Sequence, residues 1–464
     1  MTTKYQKVMH MWGDLAPKFL PFADAASEDL PLSRLLRLSL FQVSVGMALV
    51  LLVGTLNRVM IVELKVPSSI VSIMVAIPLL FAPFRALIGF RSDNHRSELG
   101  WRRVPYMWMG AMIQFGGLAI MPFALLVLAG AGQSAGQPPW VGQLGAAIAF
   151  LLVGAGLHTT QTVGLALAND LAAEESRPKV VGLMYVMLLI GMIISALVFG
   201  VLLADFSPGA LIQVIQATAV TTLVLNVIAL WKQEPRSRLR RGKPAVEPSF
   251  TDAWATLTKD SRALRTLIAV GLGTFAFSME DVLLEPYGGQ ILNMSVSATT
   301  VLTATLSLGG LFGFAWASKV LSQGADPYNM ARSGVLVGVP AFVVVICSGY
   351  LNLEWLFSLG VFGIGLGGGL FSHGTLTSCM NLAPKDQSGL ALGAWGAVQA
   401  TAAGLAMALG GIMRDMVDLM NGAAANGYVS VYVVELVVLI FTAVVLSPLV
   451  RQATVTRFPS EQRP

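Results

Sequence analysis

Long apolar segments recur along the chain and constrain its fold more than any other feature. A transmembrane α-helix needs roughly 20 apolar residues to cross the hydrocarbon core of a bilayer. Twelve segments meet this need, at residues 38–57, 68–90, 104–129, 141–168, 180–203, 210–231, 266–284, 298–318, 331–349, 356–380, 390–412 and 429–449. Only 12% of the residues are charged, about half of the share in a water-soluble domain. The sequence therefore predicts an all-α polytopic membrane protein and not an outer-membrane barrel, whose strands alternate over about ten residues.

The basic residues lie almost entirely on one side of these predicted helices. Of the 30 Lys and Arg residues, 27 fall in the two termini and in the connections on that side, and only Arg58, Lys65 and Arg414 lie opposite. Cytoplasmic loops of membrane proteins carry an excess of Lys and Arg. Both termini are therefore expected in the cytoplasm, and the net charge of +5 is a topology signal that gives no support for nucleic-acid binding.

The predicted helices divide the chain into five regions. Residues 1–37 form a cytoplasmic N-terminal segment, in which helical spacing of apolar residues predicts an interfacial amphipathic helix, with a mobile tail as the alternative. Residues 38–231 and 266–449 form two six-helix bundles. The basic cytoplasmic linker, residues 232–265, is expected to contact anionic lipids, with docking of a partner as the alternative. Residues 450–464 form a cytoplasmic tail.

The two bundles show weak internal similarity. A shift of 211 residues aligns glycines of the fourth and fifth segments with those of the tenth and eleventh, and a shift of 224 aligns glycines further upstream. The aligned pairs include Gly154 with Gly365, Gly156 with Gly367, Gly200 with Gly411, and Gly110 with Gly334. Two parallel six-helix repeats joined by a basic cytoplasmic loop are the arrangement of major facilitator transporters, and we expect that fold with two pseudo-symmetric halves.

The connection after the second segment resembles the loop motif of facilitator proteins. Its residues are Gly89, Asp93, Gly100, Arg102 and Arg103, although the six residues between the aspartate and the second glycine are more than usual. The motif uses a carboxylate near a helix N-terminus and basic groups to lock the cytoplasmic side of one conformation. The alternative is an ordinary basic loop.

Two longer strings are similar to one branch of this superfamily. Residues 56–64 read LNRVMIVEL and residues 280–290 read EDVLLEPYGGQ, and the similarity continues through 84–93, 101–105 and 177–181. These strings resemble the PucC/LhaA family, the bacteriochlorophyll-delivery branch of the major facilitator superfamily.

The resemblance implies an assembly factor for light-harvesting antennae in the inner, intracytoplasmic photosynthetic membrane. It would bind bacteriochlorophyll and deliver it to the antenna α and β polypeptides, with bacteriochlorophyll synthase and the membrane insertion machinery as further partners. Two alternatives stay open, a proton-coupled transporter of a small solute and a non-transporting scaffold for antenna helices. No enzyme activity is expected, because the sequence contains no phosphate-binding loop, dinucleotide fingerprint or metal-ligand cluster.

Ionisable residues inside the predicted helices are costly and are therefore candidates for function. They comprise Arg58 in the first segment and Glu280, Asp281 and Glu285 in the seventh. We expect Arg58 to neutralise Asp281 or Glu285 across the two halves, since a buried unpaired charge is strongly destabilising. Such a pair is either a static link between the halves or part of a gate or proton-coupled element.

Polar residues of the fourth and tenth segments are the candidates for contact with pigment. These are His158 and Gln161 in the fourth segment and Ser372 and His373 in the tenth. The magnesium of bacteriochlorophyll accepts one axial ligand, and a neutral imidazole nitrogen is a suitable donor. Each histidine is alternatively a hydrogen-bonded core residue, and the glycines around His373 serve either a planar ring or close helix packing.

Glu435 is a carboxyl group deep inside the twelfth segment. It is interpreted either as a neutral or internally hydrogen-bonded residue or as a contact with another membrane protein.

Overall fold

The computed structural model describes residues 26, 30–80, 88, 91–92, 100–130, 138–173, 176–234, 261–382, 388–422 and 424–457. The predicted N-terminal amphipathic helix, most of the basic linker and two motif residues, Gly89 and Asp93, lie outside these residues.

The described residues form twelve helical segments and no β-strand. In chain order they are α1 Leu32–Glu63, α2 Ser68–Leu80, α3 Val104–Leu128, α4 Pro139–Leu171, α5 Arg177–Leu202, α6 Pro208–Leu230, α7 Ser261–Gln290, α8 Val296–Ser322, α9 Pro327–Leu351, α10 Glu354–Leu382, α11 Ser388–Asn421 and α12 Ala424–Arg457. Eleven are long and apolar enough to cross a membrane. The described part of α2 is shorter, because residues 81–87, in the second half of that predicted segment, are not described. The all-helical membrane fold is confirmed.

The first helix of each half departs from regular α-helical geometry. In α1, the stretches Val50–Leu56 and Val59–Glu63 are π-helical. In α7, a regular helix ends at Ala276, Glu280–Val282 forms a 3-10 turn, and Leu284–Gln290 is helical again. Irregular backbone at membrane depth is tolerated where it is buried in protein or lines a cavity.

Helix packing repeats from one half to the other. In the N-terminal half α3 packs on α4 and α6, α1 on α5 and α6, and α2 on α4. Each of these pairs recurs six helices later: α9 packs on α10 and α12, α7 on α11 and α12, and α8 on α10. The halves therefore share one topology, as the glycine pattern predicts.

The aligned glycines occupy matching contacts. A Cβ atom at Gly110 would lie 3.0 Å from the Gly156 carbonyl oxygen, and one at Gly334 would lie 2.5 Å from the Gly367 carbonyl oxygen. Both contacts bring helix backbones together, the first between α3 and α4 and the second between α9 and α10. Only glycine allows this approach, which explains the repeat.

The two halves meet through α2 with α11 and through α5 with α8. The Ser297 hydroxyl donates to the Gly200 carbonyl at 2.6 Å, and Gly411 packs directly against Ser72. The Ser69 amide donates to Asp415 at 2.7 Å. These contacts lie toward the end of the bundle that holds the loop between α1 and α2, which we call the α1–α2 end; the opposite end, where the linker begins, is the linker end.

Candidate functional site

Two adjoining cavities lie between the halves. The first, about 270 Å³, is lined by α5, α7, α8, α10 and α11, and the second, about 230 Å³, by α1, α2, α4, α5, α7, α8 and α11. Met192, Asp281 and Leu306 line both. The remaining walls are mostly Leu, Val, Phe and Gly, so the space suits an apolar ligand with a few polar contacts. We call these two spaces the central cavities.

The acidic residues of α7 cluster at its irregular segment. Glu280 lines the first central cavity and Asp281 lines both, while the Glu285 carboxylate in the second accepts a hydrogen bond from the Thr303 hydroxyl at 2.5 Å. Gly54 of α1 packs against the Glu285 side chain. The break in α7 thus places charged groups at the interface of the halves.

The predicted salt bridge of Arg58 with Asp281 or Glu285 is wrong, although Arg58 interacts electrostatically with Glu285. The guanidinium, only 4% exposed, forms its ion pair with Glu63 and donates to the Met294 carbonyl at 3.3 Å. Among the described residues no salt bridge joins it to Asp281 or Glu285. The pair with Glu63 arises because α1 is π-helical over Val59–Glu63: i and i+5 residues come together in a π-helix, whereas i+3 and i+4 are the neighbours in an α-helix.

The cross-half position of this region is nevertheless as expected. Arg58 reaches the α7–α8 loop at Met294, and the preceding Asn57 donates to the Val282 carbonyl of α7 at 2.5 Å. Both contacts lie toward the α1–α2 end and hold α1 to the C-terminal half.

The four pigment candidates separate into two groups. His158 lines the second central cavity and Ser372 lines the first. Gln161 instead donates to Gln42 of α1 at 3.4 Å, and the His373 ring packs edge-on against Phe314, with 4.2 Å between centroids. Neither of the latter two is among the residues that line the central cavities. Their role in pigment binding stays a prediction, and the geometry favours His158 and Ser372.

The glycines around His373 serve mainly helix packing. A Cβ atom at Gly365 would strike the backbone of α8, and one at Gly367 would strike the backbone of α9. Gly368 also lines the first central cavity, but it differs because a Cβ atom there would meet only the Phe277 ring, at 3.9 Å.

Glu435 does not lie where a partner protein could reach it. Its side chain is 0% exposed, inside the C-terminal half, and its carboxyl group contacts that of Glu280. The interpretation as a partner contact is therefore corrected: helix α12 turns this face toward α7, and the carboxyl group is internal.

The described part of the facilitator-like loop forms an ionic network within the N-terminal half. Arg102 and Arg103 both pair with Asp170 at the end of α4, at 3.3 and 3.1 Å. The Glu234 carboxylate accepts from the backbone amides of Arg102, Arg103 and Val104, and so caps the N-terminus of α3. Gly100 has φ of +81°, which glycine adopts without strain. Asp170 and Glu234 were not predicted from the sequence. Their positions near helix ends on the side of the basic loop could have indicated this role.

Sequence comparisons identify relatives over nearly the whole chain. The family model described as PUCC protein matches residues 55–454. Protein PucC of Rhodovulum sulfidophilum is 63% identical over 89% of this chain and 91% of its own. Protein PucC of Cereibacter sphaeroides is 58% identical over 96% of this chain and 97% of its own.

The fold has solved relatives among transporters. The crystal structure of the nucleoside transporter NupG superposes with a TM-score of 0.62 over 89% of this chain and 98% of that one, at 14% identity. This likeness shows the major facilitator fold and says nothing of substrate. With a matching family model and such close relatives, the chain belongs to the PucC family.

Proposed function

We propose that this protein binds bacteriochlorophyll in the central cavities and delivers it to antenna α and β polypeptides in the photosynthetic membrane. The observation that carries the proposal is the placement of His158 on an apolar cavity between the halves, in a chain whose relatives are PucC proteins. An imidazole at such a wall supplies the axial ligand that the magnesium of the cargo needs.

The walls of the two adjoining cavities support a flat, apolar cargo. Each cavity alone is smaller than the roughly 300–1,000 Å³ of ordinary ligand sites, but Met192, Asp281 and Leu306 line both. Methionine adapts readily to ligand shape, and we infer that movement of the Met192 side chain lets one cargo occupy both spaces. Gly368 leaves part of the wall of the first cavity without a side chain, which suits a planar ring.

A deletion strain tests the proposal in the cell. We expect antenna transcripts and pigment synthesis to stay near normal while assembled antenna falls, because delivery is the missing step. Re-expression of wild type should restore the antenna, and His158→Phe should restore much less, since phenylalanine fills the place of the ring without a ligand. Normal antenna levels in a clean deletion strain would refute the proposal.

The same strain separates the alternatives. Antenna polypeptides that co-purify with the protein in the absence of pigment would favour a scaffold, and uptake of a small solute driven by a proton gradient would favour a transporter.

A further inference from the structure

Two buried carboxyl groups face each other beside the first central cavity. Glu280 of α7 and Glu435 of α12 are both 0% exposed, all four of their carboxyl oxygens are buried without a hydrogen-bond partner in the described part of the chain, and the two carboxyl groups interact with each other where α7 packs on α12. Among the described residues, no side-chain donor bonds to an oxygen of either group. Two acceptors therefore meet without a donor among the described side chains, and a shared proton would join them.

In the part of the chain that the structure describes, the groups that interact with the pair supply no positive charge. Asp281 of α7 and Tyr432 of α12 interact with the pair, and the Tyr287 ring packs edge-on against Tyr432, with 5.3 Å between centroids. Helix α11 presents Gly410 to the adjoining Met279. From α1, Asn57 binds the Val282 carbonyl.

No basic side chain among the described helices balances this pair. The Arg58 guanidinium of α1 is paired with Glu63, and Arg414 of α11 contacts Asp415 and the Tyr428 ring. The described residues contain no group of three His, Cys, Asp or Glu side chains that could hold a metal. Two carboxylates side by side in a dry site repel strongly, and a shared proton removes that repulsion.

We propose that Glu280 and Glu435 form a proton-binding site at the break of α7, and that its occupancy is coupled to the central cavity and to closure of the α1–α2 end. Glu280 lines the first central cavity, which places the pair beside the space through which a proton would enter and leave. Two residues later, the Val282 carbonyl is held by Asn57 of α1 at 2.5 Å. Loss of the proton leaves two adjacent negative charges that repel each other. As the two groups move apart, the 3-10 turn shifts and the hydrogen bond between Asn57 and the Val282 carbonyl weakens.

This inference goes beyond the proposed function and does not depend on the cargo. Infrared spectroscopy of the purified protein tests it, because a protonated carboxyl group has a carbonyl stretching band that a carboxylate lacks. We expect the wild-type protein to show such a band at neutral pH and to lose it at higher pH. Labelling the glutamate carboxyl groups with 13C assigns the band in the wild type, whether or not a variant folds.

The band should disappear in both Glu280→Gln and Glu435→Gln. The introduced amide donates to the remaining carboxylate and takes the place of the shared proton. Glu354→Gln, which changes an exposed glutamate at the start of α10, is the matched control and should keep the band. A wild-type protein with no glutamate-derived band at neutral pH, or a band unchanged in both pair variants, would overturn the proposal.

Distance measurements test the coupling. Spin labels at Asp205→Cys and Met420→Cys report the separation of the two halves at the α1–α2 end, in a background where Cys347 and Cys379 are replaced by serine. We expect the distance to increase as the pH rises in otherwise wild-type protein and to be insensitive to pH in Glu280→Gln. A distance that is the same at all pH values in both proteins would overturn the coupling.

Discussion

Helices α1 and α7 occupy equivalent places in the two halves, and both are irregular, yet they carry opposite chemistry. The polar residues of α1 reach partners in the other half: Asn57 donates to the Val282 carbonyl, and Arg58 to the Met294 carbonyl. Helix α7 instead carries Glu280, which meets another carboxyl group. The repeat therefore determines where helix backbones approach each other. The side chains at these places differ: those of α1 bind the other half, and those of α7 form an acidic site.

The largest loss of stability is expected from removing the Arg58 side chain, which links α1 to the C-terminal half. Arg58→Ala loses the hydrogen bonds to Glu63 and Met294, and charge-assisted bonds of this kind are worth about 1.5–3 kcal/mol. Thermal melting of the purified protein should show a clear destabilisation. Lys65→Gln removes an exposed positive charge at the same end and should melt as wild type does. Equal melting temperatures of Arg58→Ala and Lys65→Gln would show that Arg58 does not stabilise the contact between the halves.

A second test compares the packing of two equivalent glycines, one in each half. Gly156→Ala and Gly367→Ala each place a methyl group against the backbone of a neighbouring helix, and overpacking of this kind costs about 1–3 kcal/mol. The two variants should be destabilised to a similar extent. Gly396→Ala, with no atom within 4 Å of the new methyl group, is the control. A large loss of stability in only one of the two variants would show that the two halves are not packed alike.

The smallest of these effects concerns the partner of Arg58. In a double-mutant cycle on stability, Arg58→Ala with Glu63→Gln should show a coupling of at least about 0.5 kcal/mol, because the two side chains are in contact. Arg58→Ala with Asp281→Asn should be additive within about 0.3–0.5 kcal/mol. Additivity in the first cycle together with coupling in the second would show that Arg58 pairs with Asp281 across the halves.

The helices and the repeat could be predicted from the sequence because both depend on local composition. The hydropathy of residues 104–129 predicts an apolar helix, and α3 runs over Val104–Leu128. The glycines aligned by the two shifts make matching contacts, since close helix packing leaves a direct trace in residue type.

Side-chain partners were harder to predict. Arg58 pairs with Glu63 through a π-helical stretch that hydropathy does not reveal. Glu280 and Glu435 meet only because α7 packs on α12 with a particular rotation, and an all-apolar helix gives no periodic signal for rotation. For the same reason the sequence could not separate His158 and Ser372, which line the cavities, from Gln161 and His373.

Pigment binding in the central cavities is tested most directly by the absorption spectrum of the gently purified protein. Wild type should carry a bacteriochlorophyll band. Gly368→Leu, which projects a side chain into the first cavity without striking backbone, should lose most of it, and Gly396→Leu, on α11 and not among the residues lining the central cavities, should keep it. A wild-type protein free of pigment, or equal pigment in the two leucine variants, would contradict binding in these cavities.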